Sequence, residues 1–374
     1  MRSLNRVTIS RSALEHNYGV CRQLAGYAAI MPLVKADGYG HGQVDCARIF
    51  AEQGAAAFGV AEVVEGVRMR QAGITQPILV LAGTVPQALA PLVEADLTPV
   101  LVDPFLVPEL SRLAGKLGKI VEVHIKLDAG MGRQGMLPEE FATTVRAVQQ
   151  AEHLRLAGVM AHFPMADDRQ SSNSADVLRT FVDTTGQLRQ LIPGKCCLHL
   201  ANSGGLFYVA GARLDMVRPG IALYGYYPDG RAGRATAEPP FLRPAMRFAT
   251  QVLQVRQVPA EKGLGYSHLH VTARPATIAV LPVGYDDGYL RSLSNRASVL
   301  INGKRAPVVG RVSMNLTLVD VTGLGAVRPG DEVVLLGRQG EEEITADEIA
   351  AWMDTISYEV LCLFGNLNDR ELVA

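Results

Sequence analysis

Five segments of this chain place a reactive or ligand-holding side chain just beyond a short apolar run. Lys35 follows the run 29–34 and opens the string Ala-Asp-Gly-Tyr39-Gly-His41-Gly; Arg133 lies beyond 121–127 and Asp128; His162 ends the run 156–161. Asn202 and Ser203 follow 197–200, and Arg218, Pro219, Gly220 and Ile221 follow 214–217. An amine, an imidazole, two guanidinium groups and a hydroxyl together offer a nucleophile or base and several donors for an anionic ligand. Singly, each has an ordinary explanation. Lys35 reads as a surface lysine lying along apolar neighbours, His162 as a satisfied core histidine, Asn202-Ser203 as a helix cap and Arg218 as a solvated loop charge. A scattered surface set should not fall at the same end of five strands, so the coincidence points to one shared site.

The elements that must position these groups are βα units. From about residue 28 to 220 a short apolar run, a glycine-bearing or polar break and a segment of helical periodicity alternate, with runs at 29–34, 56–60, 78–81, 98–102, 121–127, 156–161, 197–200 and 214–217. Eight such runs predict an α/β fold, an N-terminal (β/α)8 TIM-type barrel, whose chemistry belongs at the carboxyl ends of the strands. After Pro138 the spacing of Phe141, Val145 and Val148 predicts one apolar helix face, and Ser12 with Glu15 suggests a capping box opening a helix at Ala13. Beyond about residue 230 apolar runs succeed one another without long helices, which predicts a C-terminal mainly-β domain. Strands are expected at 248–258, 316–321 and 332–336, with a hairpin at 297–309 turning at Asn302-Gly303. A late helix is expected after Thr345, capped there and boxed by Glu348, with Ile349, Trp352 and Met353 turned inward. The Gly-, Pro- and Arg-rich stretch 227–240 reads as the linker, giving domains 1–235 and 236–374.

Composition narrows the function class. The 374 residues are 48% hydrophobic and 20% charged with a net charge of −1, which offers no field for nucleic acid and suits a small-molecule ligand. No apolar run reaches the roughly 20 residues of a membrane span, and no signal-like apolar block follows the first arginines. Cys21, Cys46, Cys196, Cys197 and Cys362 lack metal-site or disulfide spacing, so a cytoplasmic protein is expected. Gly130-x-Gly132-x-x-Gly135 matches a dinucleotide fingerprint, but it sits in the fifth βα unit with Asp128 between it and the strand, which argues against a nucleotide-dependent oxidoreductase.

Several of these strings resemble the motifs of the alanine racemase family: Val34-Lys35-Ala-Asp-Gly-Tyr39-Gly-His41-Gly, Lys126-Leu-Asp-Ala-Gly-Met-Gly-Arg133, Ala161-His162-Phe163, Ala201-Asn202-Ser203 and Arg218-Pro-Gly-Ile221. Gly265-Tyr266, Gly284-Tyr-Asp-Asp-Gly-Tyr289 and Gly310-Arg-Val-Ser-Met314 continue the series in the same order, so the resemblance runs from the first strand to about Cys362. It implies a pyridoxal 5'-phosphate (PLP) enzyme that interconverts L- and D-alanine, supplying D-alanine for peptidoglycan. Lys35 would hold the cofactor covalently and, once released, act as base on one face of Cα; Tyr266 would act on the other, its proton drawn away through His162 and Arg218. Arg218 would hydrogen-bond the ring nitrogen, and Tyr39, Ser203, the Gly220 and Ile221 amides and Tyr358 would hold the phosphate, with His162 and Asn202 completing the cofactor site. Arg133 would contact the substrate carboxylate, Lys126 would carry a carbamate, and a homodimer is implied because Tyr266 and Met314 would come from the second subunit.

This sequence departs from the family pattern at Asn315, where an Asp is usual, at Ala129 and Ala161, where threonines are usual, and in a tail without Arg-Val-Pro-Arg. These changes avoid both bases and bear on the access channel, the rate and the substrate choice. A serine or broad-specificity racemase is the alternative reading, and a non-catalytic PLP carrier is the alternative of a different class; Tyr266 and the added β domain speak against the carrier.

Overall fold

The computed structural model describes residues 3–238 and 240–374, without the side chains of residues 231 and 232. All eight apolar runs become strands of a parallel barrel: β2 (Ala29–Ile30), β3 (Phe58–Val60), β4 (Ile78–Val80), β5 (Thr98–Leu101), β6 (Val121–Lys126), β7 (Leu154–Met160), β8 (Cys197–His199) and β9 (Met216–Val217). Strands β3 to β8 pair in sequence order and β2 pairs with β9. The barrel closes on both sides of β2, where Leu33 N donates to Pro219 O at 3.0 Å and Val34 N to Gly59 O at 3.0 Å. Between β8 and β9 the ring is joined by Asp215 N to Leu198 O at 3.1 Å and Arg218 N to Ala201 O at 2.8 Å. Strands buried on both faces are rich in Val, Ile and Leu, as a barrel between helices and a filled interior requires. The helix Pro138–Gln150 buries Phe141, Val145 and Val148 as their spacing predicts.

A preceding strand, β1 (Arg6–Ser10), takes no part in the barrel. It lies in a second sheet between β10 (Met246–Gln251) and the C-terminal strand Arg370–Val373. Residues 6–10, grouped with the barrel by sequence, thus belong to the β unit: Val7 and Ile9 bury one face against partners more than two hundred residues away. The helix that follows spans Arg11–Ala25 and is capped by Ser10, whose hydroxyl accepts from Ala13 N at 3.2 Å. The cap is therefore not Ser12, and Glu15 pairs with Arg11 at 2.8 Å instead.

The stretch expected as one strand at 248–258 is two. It breaks at Val252–Leu253, and β10 and Gln254–Val258 enter different sheets, the latter pairing with Ala276–Leu281, which also pairs with Thr317–Asp320. The Asn302-Gly303 hairpin forms between Ser298–Ile301 and Lys304–Pro307, both turn residues having the positive φ (52° and 71°) that a tight hairpin turn needs. Thr345 caps Ala346–Met353 through Glu348 N at 3.1 Å, and Ser357–Asn366 forms a further helix. The linker at 227–240 contains a short helix, Arg231–Thr236, and its residue 239 lies outside the described residues. None of the helices among the described residues is long and apolar enough to cross a membrane, and the five cysteines are unpaired.

Candidate active site

The carboxyl ends of β2, β6, β7, β8 and β9 bring Lys35, Lys126, Arg133, His162, Ser203 and Arg218 to one mouth of the barrel. Burial lowers the pKa of Lys35, and the charges of Arg133 and Arg218 lower it further. Lys126, only 2% exposed, is pushed down to about 8 by burial and then by Arg133 and Arg218. His162 is driven well below the usual imidazole range by burial, with Arg218, Lys126, Arg133 and Lys35 adding to the effect. Lys35, Lys126, Arg133 and Arg218 lie within electrostatic reach, with Glu65 opposing at Lys35 and Asp128 at Lys126, and form a site suited to an anionic ligand.

The turn that presents Lys35 is conformationally costly. Ala36, Asp37, Gly38, Tyr39 and Gly40 all have positive φ, between 52° and 80°, a left-handed path that costs roughly 1–2 kcal/mol at each non-glycine residue. Such a path persists only when its surroundings determine it. Glu65 accepts from Ala36 N at 2.7 Å, and Asp37 accepts from Gln43 N at 2.8 Å while pairing with Arg370. Arg370 also donates to the carbonyls of Gly40 (3.2 Å) and Gly365 (3.0 Å). Gly40 packs against the backbone of the helix Ser357–Asn366 so closely that a Cβ would sit 2.3 Å from Leu361 O. The C-terminal strand thus braces the turn that carries Lys35 and Tyr39, although the tail departs from the family pattern.

Tyr39 stacks on Tyr224 with ring centroids 4.9 Å apart and lies 6.0 Å from the ring of Tyr358. Its hydroxyl faces Gly220, where a Cβ would come within 2.3 Å of the oxygen. Ser203 Oγ accepts from Gly220 N at 2.9 Å and from Ala222 N at 3.3 Å, gathering the amides at the start of the turn Ile221–Tyr224. Asn202 caps the helix Ser203–Tyr208, its side-chain oxygen accepting from Gly205 N at 2.9 Å. The backbone cradle beside Ser203 and Tyr39, with hydroxyls and main-chain amides facing it, fits a phosphorylated cofactor.

Arg218 is the most enclosed of these groups, 1% exposed, and burial lowers its pKa to about 10. It donates to Ala161 O (2.7 Å) and Leu200 O (3.0 Å), lies 3.4 Å from His162 Nδ1 and meets His199 Nδ1 at 2.9 Å. His199 and its own partner His124, 2.7 Å away, had not been singled out by sequence. The available signal was the i, i+2 placement of His124 with Lys126 on β6, which puts both on one face. By contrast the glycine string at 130–135 turns its amides onto Asp128, which accepts from Gly130 N (3.0 Å) and Gly132 N (3.1 Å), so they cradle a side chain of the protein itself.

Tyr266 and Met314 belong to the β unit rather than to the barrel mouth. They stand at the surface of the β unit, 68% and 54% exposed, and no hydrogen bond among the described residues joins Tyr266 to Lys35. Tyr266 follows Gly265 in the loop between Gly263–Leu264 and His270–Val271. Met314 and Ser313 accept through their carbonyls from Asp286 N and Tyr285 N, both at 3.1 Å, so the 284–289 and 310–314 strings form one contact. Asn315 reaches Asp286 at 3.4 Å.

The buried imidazoles carry a stability consequence. Burial pushes His41 and His124 down to about 4 and His162 and His199 well below the usual range, whereas unfolded histidines titrate near about 6.5. Below that value the unfolded chain binds protons that the folded chain refuses. Stability is therefore fully present above pH ~6.5 and falls with decreasing pH, by up to about 1.4 kcal/mol per pH unit for each ring. Urea midpoints at pH 7.5 and 5.0, at fixed chain concentration, should show a steep loss; equal midpoints would contradict neutral buried rings.

Comparison with known proteins accounts for this geometry. The alanine racemase N-terminal domain family matches residues 9–228 and the alanine racemase C-terminal domain family residues 245–372. An alanine racemase of Syntrophobacter fumaroxidans is 42% identical over 361 residues, 96% of this chain and 95% of that protein. The structure of alanine racemase from Bacillus anthracis with bound L-Ala-P superposes with a TM-score of 0.92 at 32% identity, covering 100% of this chain and 96% of that one. That of Bartonella henselae alanine racemase with covalently bound pyridoxal phosphate gives 0.88 at 28% identity, with 99% of each covered. Both halves of the molecule match over nearly their whole length, and the chain belongs to the alanine racemase family.

Proposed function

We propose that this chain interconverts L- and D-alanine with pyridoxal phosphate, using Lys35 and Tyr266 as opposed bases. The observation that carries the reading is the barrel mouth itself: a desolvated lysine on a braced left-handed turn, on the same end of the barrel as a cradle of hydroxyls and backbone amides. When bound, the cofactor supplies an electron sink for negative charge at the amino acid's Cα.

Lys35, its pKa lowered by burial, Arg133 and Arg218, would take or return a proton at Nζ. Tyr39, Ser203, the Gly220 and Ile221 amides and Tyr358 would hold the phosphate, with Asn202 and His162 beside the ring. Arg218 has only donors to offer, and a guanidinium that retains its proton beside the ring nitrogen would leave that nitrogen unprotonated. Arg133 would orient the substrate carboxylate. Lys126, pushed down to about 8, has a neutral fraction able to add carbon dioxide and lose a proton, giving an anionic carbamate beside Arg133.

Tyr266 and Met314 would reach the site of a second copy of the chain. Exposed apolar side chains on two loops of the β unit, Tyr266, Leu269 and Val271 on one and Met314 and Leu316 on the other, support a homodimer. The division near residue 235, between the two matched family regions, remains part of this reading with β1 assigned to the second unit. A cytoplasmic location accords with unpaired cysteines, three of them buried.

The test is incubation of the purified, cofactor-loaded protein with L-alanine in deuterated water. D-alanine should accumulate to about equal amounts with the L form, as required for enantiomers, and both should carry deuterium at Cα. Absence of Cα exchange would overturn the assignment, and faster exchange of serine than of alanine would move it to the broader racemase class.

A further inference from the structure

His124 lies in the barrel interior, outside the ring of groups assigned to cofactor or substrate, and it is 6% exposed. The register of β6 on β7 shifts between Val123 and His124, with Ala157 of β7 as the extra residue, so that His124 pairs with Gly158. Opposite stands Gly158; a Cβ there would come within 2.2 Å of the imidazole, so the missing side chain makes room for the ring. Polar rings are placed in a barrel core only at a desolvation cost, and this one is held by a defined contact: His124 Nδ1 to His199 Nε2 at 2.7 Å, the rings edge to face at 71°.

The direction of that contact follows from Arg218. A guanidinium donates and cannot accept, so His199 Nδ1, 2.9 Å from Arg218 Nη1, must offer a lone pair. The hydrogen of neutral His199 then sits on Nε2 and is donated to His124 Nδ1, which leaves the hydrogen of His124 on its own Nε2. Among the described residues no carboxylate pairs with Arg218; its acceptors are two carbonyls and the imidazoles. His199 is the closer of the two imidazole acceptors, at 2.9 Å against 3.4 Å for His162, and a ring that donates at one nitrogen is a better acceptor at the other.

We infer that His124 is a positioning residue: by accepting from His199 it fixes that ring's tautomer, and through it the orientation of the Arg218 guanidinium toward the cofactor. The same logic governs ligand-bearing histidines, whose second nitrogen is fixed by an outer partner. This rests on the proposed placement of Arg218 against the cofactor ring.

Two variants separate the relay from simple packing. His124→Asn offers Oδ1 as an acceptor on a short side chain, whereas His124→Leu fills the space without one. For the cofactor-loaded enzymes, His124→Leu should lower kcat by about 10- to 100-fold and weaken PLP affinity, measured by fluorescence titration, while leaving KM for alanine within about twofold. His124→Asn should recover most of both losses. Nitrogen-15 NMR of histidine-labelled, cofactor-free wild type should show His199 neutral with its hydrogen on Nε2, and His124→Leu should lose that single tautomer.

Equal behaviour of the two variants, whether both active or both impaired, overturns the relay, as does a wild-type His199 that is charged or protonated on Nδ1. If His124→Leu fails to fold, the wild-type tautomer and His124→Asn still decide the matter. Should the wild type lack Cα exchange altogether, the catalytic reading fails, and the NMR result reports on the relay separately.

Discussion

Lys35→Ala is expected to lose covalent cofactor and to slow racemisation by about 10^4-fold or more, the upper range for removing a single proton-transfer group. In the wild type, borohydride reduction followed by digestion should place the cofactor's mass on the peptide bearing Lys35; in the variant no peptide should carry it. The protein should nonetheless fold. The left-handed turn is held by Glu65 on Ala36 N, by Arg370 on Asp37 and by the approach of Gly40 to Leu361, and none of these contacts uses the Lys35 side chain. Removing a desolvated cation near Arg133 also relieves repulsion, so with both proteins cofactor-free the melting temperature should be unchanged or higher. Added methylamine should restore a measurable part of Cα exchange, which a purely structural lysine would not allow. Retention of more than about 1% of activity without added amine would remove Lys35 from its role.

Much of this arrangement is legible in the sequence because it is local and periodic. Eight apolar runs with glycine-bearing breaks specify a barrel, and the barrel specifies which end holds the chemistry. What escaped was long-range or contrary to local preference. The strand Arg6–Ser10 shows clean alternation, with Val7 and Ile9 inward, yet its partners stand at 246–249 and 370–373, and nothing within five residues announces them. Ala36, Asp37 and Tyr39 prefer the right-handed region, so their left-handed path is imposed by contacts from Glu65 and Arg370. Arg370 itself sits in a tail whose motif looks degraded, and only the fold shows that it meets Asp37. His124 and His199 were hidden inside apolar strands, where a histidine is most often merely satisfied; parallel pairing across β6, β7 and β8 brings them together. The glycine string at 130–135 misled in the other direction, since a spacing match cannot reveal that Asp128 already accepts its amides.

Mixing Lys35→Ala and Tyr266→Ala chains should regenerate activity that neither has alone. Within one chain Lys35 is part of a buried cluster at the barrel mouth, whereas Tyr266 is 68% exposed on a two-stranded loop of the β unit. A phenol becomes a useful base near neutral pH only where a surface covers it and presents groups such as His162 and Arg218. If that surface is the barrel mouth of a second copy, each site combines Lys35 of one chain with Tyr266 of the other. A mixed dimer then contains one site lacking both bases and one complete site. Random re-pairing of equal amounts makes about half the dimers mixed, so about one quarter of all sites, and of wild-type turnover, should return. Differently tagged chains purified by both tags in sequence should double that fraction to about half. Mixed dimers isolated in this way but inactive would show that the two bases do not meet across the subunits, and the role of Tyr266 would have to pass to another residue. Activity that returns and then falls on dilution, in step with dissociation measured by light scattering, would link each complete site to the exposed apolar side chains that include Leu269, Val271 and Met314.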